Sequence, residues 1–230
     1  MPRPRRYLPG GMVFHVLNRG VNRRTLFFDA GEYEAFIVDV LETLRTRPMR
    51  ICSYCIMPNH WHMVLWPERD GDITLFVHHL ASLHSLRWKR RHEEVGLGPL
   101  YQGRFKAFPV QTDCHFHTVV RYVERNPLRA NLVQNAAVWR WSSLGQVASP
   151  MQIPVSDWPD GLSRPIRGSE WIEWVNTPQT IAEVDSVRLC SRRGCPLGDD
   201  RWAGDTAASL GLESTMRQSG RPRKQSNQTA

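Results

Sequence analysis

His60 and His62 are the first residues here whose type and spacing suggest chemistry. They lie in the segment IMPNHWHMVLW, from Ile56 to Trp66. On a strand, residues two apart share one face of the sheet. The two imidazoles then point together, while Trp61 and Met63 point the other way. Side-by-side imidazoles make half of a divalent-metal site. The plainer reading is two half-exposed histidines. Tyr122 and Asn126 form a second pair, in TDCHFHTVVRYVERNPLRA. There Phe116, Val119, Val120 and Val123 make one helical stripe, with Tyr122 on its flank. Asn126 follows by one turn, so phenol and amide leave the helix on one side. The plainer reading is a tyrosine at a core edge and an asparagine capping a helix before Pro127.

Two other groups compete for a metal. Cys52 and Cys55 precede the histidines as C-x2-C-x4-H-x-H, which invites a structural zinc reading. An offset of three, however, puts the two thiols on opposite faces of a strand. His115 and His117 also stand two apart, but at a helix start, where such residues diverge by roughly 200°. They read as surface or cap residues.

These residues must be positioned by the elements around them. Met12 to Asn18 reads as a strand, followed by the basic loop RGVNRR. Gly31 to Arg45 carries Phe36, Ile37, Val40, Leu41 and Leu44 at helical spacing, with acids at its start and Arg45 at its end, as the helix dipole favours. Arg50 to Met57 and His60 to Trp66 read as strands separated by Pro58-Asn59. Asp72 to about Arg91 reads as a helix with the strongly basic end RWKRRH. Arg104 to Gln111 could be a strand. Thr112 or Asp113 can cap a third helix, running to about Asn126 and stopped by Pro127. The first six elements give a ferredoxin-like βαββαβ plan of the α+β class, an antiparallel sheet with helices on one face.

Beyond about Ser149 the texture changes. ASPMQIPVSDWPDGLSRPIRGS is rich in Pro, Gly and Ser and reads as a linker or loosely folded stretch. Short helical pieces follow near Glu170–Val175 and Trp202–Leu210, then a polar tail. The chain thus divides into a domain over 1–149 and an extension over 150–230. Within the tail, Gly220-Arg221-Pro222-Arg223-Lys224 resembles an AT-hook core, whose extended Arg-Pro-Arg fits a narrow minor groove. Arg192-Arg193-Gly194 is a related basic stretch.

The 230 residues carry 30 Lys and Arg against 22 Asp and Glu, a net charge of +8 and a pI near 9.7. Such a surplus suggests an anionic partner, most often nucleic acid. Arg19, Arg23, Arg24, Arg87, Lys89, Arg90, Arg91, Arg104, Arg125, Arg221 and Arg223 are the candidate phosphate contacts. Trp and Phe could stack on unpaired bases. No apolar run approaches the roughly 18–20 residues that span a membrane, and no apolar segment follows the basic first residues as in a signal peptide. Five cysteines without framework spacing suit a reducing cytosol.

Five separate pieces occur in the order seen in HUH-type single-tyrosine transposases: F-H-V-L-N-R-G-V-N-R-R (14–24), M-P-N-H-W-H-M-V-L, Y-Q-G-R-F-K (101–106), R-Y-V-E-R-N-P-L-R-A and W-R-W-S-S (139–143). Over residues 7–145 the chain most resembles the REP-associated tyrosine transposases. The resemblance implies that His60 and His62 ligate a metal and that Tyr122, on a catalytic helix, is the nucleophile. Asn126 becomes the third ligand, at a position that many relatives fill with the longer Gln. It further implies Mg²⁺ or Mn²⁺, a 5′-phosphotyrosine intermediate, and single-stranded or hairpin DNA as partner. It places the protein in the cytoplasm, at the bacterial nucleoid. Nothing in the pattern separates a monomer from a homodimer. A non-catalytic protein that recognises palindromic repeats on the same scaffold is the second reading.

Overall fold

The strands alternate in what they bury, and the site follows from that alternation. In β1 (Val13–Arg19), Phe14 and Val16 face one layer of core while Val13, His15 and Leu17 face the other side. In β3 (His60–Trp66), Trp61, Met63 and Leu65 join Phe14 and Val16, and His60 and His62 point away from them. The remaining strands are β2 (Arg50–Met57) and β4 (Lys106–Val110). All pairs are antiparallel, in the order β2-β3-β1-β4. With α1 (Ala30–Thr46) and α2 (Asp72–Arg91) between the strands, this is the ferredoxin-like arrangement expected from the sequence. The computed structural model describes residues 7–145, 151–159, 162 and 168–217.

α1 and α2 cover the Trp61 face through Phe36, Ile37, Val40, Phe76, Val77 and Leu80. The other face is covered too, which the βαββαβ plan alone does not require. There α3 (Cys114–Glu124) packs Phe116, Val119, Val120 and Val123 against Val64, Phe108 and Val110. α4 (Asn126–Arg129) follows at once. Trp171 and Val175 of α5 (Ser169–Asn176) and Val187 of α6 (Ile181–Arg193) complete this layer. α7 (Asp200–Leu210) and α8 (Glu213–Met216) end the described chain. Burial on both faces explains why the strands read as almost continuous apolar runs.

Three expectations change. Cys52 and Cys55 lie on the same side of the sheet, because a bulge between Ile51 and Ser53 shifts the register and reverses the alternation. Pro127 does not end the helical path. It occupies the first turn of α4, where a missing N–H costs nothing, and Arg125 keeps helical backbone angles between α3 and α4. Residues 151–159, linker-like in composition, run along β2: Ile153 is fully buried, Ser156 N donates to Ile51 O, and Trp158 Nε1 donates to Cys52 O.

The sheet edges are covered. Ile56 N donates to Trp141 O and Ser143 N to Tyr54 O, so the W-R-W-S-S segment lines β2. Leu197 bridges β4 through Pro109 and Gln111. All five cysteines are free thiols. Among the described residues no helix is long and apolar enough to cross a membrane.

Candidate active site

The turn between β2 and β3 sets the histidines. Asn59 Nδ2 donates to Arg23 O, which orients the amide. Its Oδ1 then accepts from His60 Nδ1 at 2.6 Å. That contact puts the proton on Nδ1 and leaves Nε2 of His60 with its lone pair. Gly20 closes the neighbouring turn: a Cβ there would meet Arg24 O at 2.5 Å. The rings of His60 and His62 stand 4.9 Å apart, as the two-residue spacing requires.

His62 is held from β1. His15 Nε2 lies 2.9 Å from His62 Nδ1, and the rings are nearly parallel. His15 is fully buried, and its own Nδ1 has no partner. If His62 is to offer Nε2 to a cation, its Nδ1 must carry the proton and His15 Nε2 must accept it. Burial pushes His15 and His60 down to about 3, with the charges of Arg19 and Arg129 adding to the effect at His60. His62 is pushed well below its usual value by burial, then by its two histidine neighbours. All three imidazoles are neutral at neutral pH, the form in which histidine ligates metals.

Tyr122 arrives from the opposite layer. Asp113 caps α3 by accepting from His115 N at 2.7 Å, and the apolar stripe presses the helix onto the sheet. The Tyr122 ring then sits 6.1 Å from that of His62 and 6.3 Å from that of His15. The Arg129 guanidinium stacks over Tyr122 at 3.9 Å and donates to its carbonyl. Asn126 lies one turn beyond and is 8% exposed, with an amide nitrogen lacking any partner. Rotating that amide exchanges nitrogen for Oδ1. Two neutral imidazoles and a buried, unpartnered amide make a donor set that suits a divalent cation.

His60, His62, Tyr122 and Asn126 all line one cleft of about 560 Å³. Six cations line it as well: Arg19, Arg104, Lys106, Arg129, Arg188 and Arg192. No Asp or Glu does. Of the arginines and lysines picked out in the sequence, Arg19 and Arg104 therefore reach the site. Others serve the fold. Arg24 pairs with both oxygens of Glu94 and lies over Trp88. Arg87 joins α2 to α1 through Asp39 and Glu42, and Arg91 does so through Glu32. Arg125 donates to Val175 O and Asn176 O, and Lys89 donates to Gly98 O. Arg23 and Arg90 are exposed outside the cleft. Arg221 and Arg223, with the hook-like tail, lie outside the described residues.

The competing groups look different. Burial pushes the Cys52 thiol up to about 12 and Cys55 beyond it, unlike the thiolates that hold zinc. Asp113, Cys114 and His115 have ligand atoms within 4.8 Å of one another at the start of α3. Asp113 Oδ1 is already engaged there as the helix cap and against the His115 ring.

Fold and cleft together define an antiparallel α+β protein with a cation-lined cleft suited to an anionic ligand. Residues 10–126, just over half of the chain, match the family described as Transposase IS200 like, and the chain belongs to that family of DNA transposases. The REP-associated tyrosine transposase of Escherichia coli (strain K12) is 25% identical over 160 residues, 67% of this chain and 88% of the relative. A solved REP-associated tyrosine transposase bound to a REP hairpin shares the fold, with a TM-score of 0.53 at 22% identity, over 73% of this chain and 100% of that one. The resemblance read from the sequence thus holds.

Sequence reasoning missed His15, Asn59 and the α6 residues Arg188 and Ser191; Arg129 shows in the sequence as positive charge near Tyr122 and Arg192 as part of a basic stretch, without a place in the cleft. A signal for α6 was present. Thr180 and Glu183 form a reciprocal capping box, Arg192 and Arg193 fill the last turn, and Gly194 closes the helix at φ +80.

Proposed function

We propose that this chain is a DNA strand transferase. It cleaves and rejoins single-stranded DNA beside hairpin-forming repeats, with Tyr122 as nucleophile. His60, His62 and Asn126 hold Mg²⁺ or Mn²⁺. The observation that carries this reading is the single cleft where two neutral histidines, a tyrosine and an unpartnered amide meet among cations without a carboxylate.

When bound, the cation withdraws negative charge from the non-bridging oxygens of the scissile phosphate. The protein does the rest. Tyr122 Oη attacks phosphorus in line, forming a phosphorus–oxygen bond to the ring as the bond to the 3′-oxygen breaks. The phenolic proton passes to solvent, and the departing 3′-oxygen takes one up. A 3′-hydroxyl attacking the phosphotyrosine reverses each change and joins strands, so no nucleotide cofactor is consumed. Arg129, stacked on the ring, fixes the direction of the phenol and puts positive charge beside the incoming phosphate.

A labelled hairpin oligonucleotide with a single-stranded flank, incubated with Mg²⁺ or Mn²⁺ and run on a denaturing gel, tests this. The expected result is a metal-dependent covalent adduct that Tyr122→Phe abolishes. An adduct that persists in the Phe variant moves the nucleophile elsewhere. Tight binding without any adduct, across several repeats, favours the non-catalytic reading.

A further inference from the structure

The far wall of the cleft comes from α6, beyond the end of the family match at residue 126. Val187 and Cys190 turn inward to the core, and this sets what the next face does. Arg188 and Arg192 are one turn apart, on one side of the helix and about 6 Å from each other. Both are exposed, and both line the cleft. Neither has an acidic partner among the described residues. The charge of Arg188 instead bears on Arg129, which stacks on the nucleophile. Between them Ser191 presents a hydroxyl that is buried and has no hydrogen-bond partner. Cations facing cations across a cleft, with a stranded hydroxyl and no carboxylate, describe a seat for anions.

A second cavity of about 490 Å³ shares Arg104, Lys106, Ser191 and Arg192 with the cleft, and among the described residues no acid lines it. The half-exposed ring of Tyr7 stands there, its hydroxyl donating to Asp70 and its face left for contact. A polymer of phosphates fits such a run better than one free anion, and an aromatic ring at its end suits an unpaired base.

We propose that α6 is a strand grip. Arg188 and Arg192, with the Ser191 hydroxyl between them, bind backbone phosphates of the single-stranded DNA flanking the scissile phosphate and lead it towards Tyr7. This rests on the DNA-processing reading above and adds to it: the C-terminal segment, separable by composition, completes the substrate site.

The test is the affinity of a fluorescein-labelled oligothymidine, followed by anisotropy against salt in metal-free buffer. Each phosphate contact on a single strand contributes roughly 0.7 to the slope of log K against log salt. Arg188→Ala with Arg192→Ala should lower that slope by about 1.4. Arg188→Lys with Arg192→Lys should keep most of it, and Arg201→Ala, on exposed α7, should leave it unchanged. A hairpin without a flank should bind wild type and double variant alike. An unchanged slope in the double alanine variant overturns the grip, and an equal loss on the flankless hairpin reassigns α6 to duplex. Binding without metal does not depend on Tyr122, so a wild type that binds but forms no adduct refutes the chemistry and leaves this result standing.

Discussion

A histidine that ligates a metal through one ring nitrogen must find a use for the other, and that partner fixes the tautomer. Asn59 offers such a partner to His60, and His15 offers one to His62. The two are unequal in the sequence. Asn59 adjoins the histidine pair, whereas His15 shows only as a polar residue inside the apolar strand MVFHVLN, forty-odd positions away. Its role needed the register that sets β1 beside β3. His15→Phe leaves His62 Nδ1 without an acceptor. Mn²⁺ affinity, read by electron paramagnetic resonance during titration, should weaken about 10–100-fold. His15→Gln, which keeps an acceptor, should fall between. Equal affinity in all three proteins would mean that His62 needs no help from β1.

At the scale of the element, α3 is held at both ends. Near its end Glu124 is fully buried and accepts from Trp171 Nε1 at 2.8 Å and Ser143 Oγ at 2.9 Å. One carboxylate thus ties the Tyr122 helix to α5 and to the W-R-W-S-S segment. Glu124→Ala strands the Trp171 indole N–H, while the Ser143 hydroxyl keeps Tyr54 O and Ser53 Oγ, and should cost about 1–3 kcal/mol in urea unfolding. A change within roughly 0.5 kcal/mol would show that the knot carries no stability. The limits of β2, β3 and α2 could be read from periodicity and turn residues alone, because each is bounded by proline, glycine or a cap. The layer over the second face could not. It joins parts far apart in sequence: Trp158, Trp171 and Val187 read as ordinary apolar residues until the bulge at Cys52 and the path along β2 bring them together. Tyr122 and Asn126 were legible as a helical pair. The wall opposite them was not, because α6 has a weak apolar stripe amid charged residues, and a capping box alone does not say what a helix packs against.

Over the whole molecule, buried neutral histidines make stability sensitive to acid. His84 is fully buried, bonded to Tyr101, and held at about 3 by burial, as is His15. Unfolded, each takes up a proton near 6.5. Between these values the unfolded chain binds more protons than the folded one. Stability should therefore fall as pH drops below about 6.5, by up to about 1.4 kcal/mol per pH unit for each such histidine, and be unaffected by them above it. Urea midpoints taken from about pH 7.5 down to about pH 5.5 in chelator measure this. His84→Leu should flatten the slope by about one proton, and an unaltered slope would place its protonation elsewhere.

Arg121 and Arg125 lie on the same helix as Tyr122, and both donate to carbonyls at and just after the end of α5, from Val175 to Pro178. A gene that lost its 3′ end would not encode a smaller edition of this enzyme. It would bare two guanidiniums beside Tyr122 while deleting the α6 wall of the cleft.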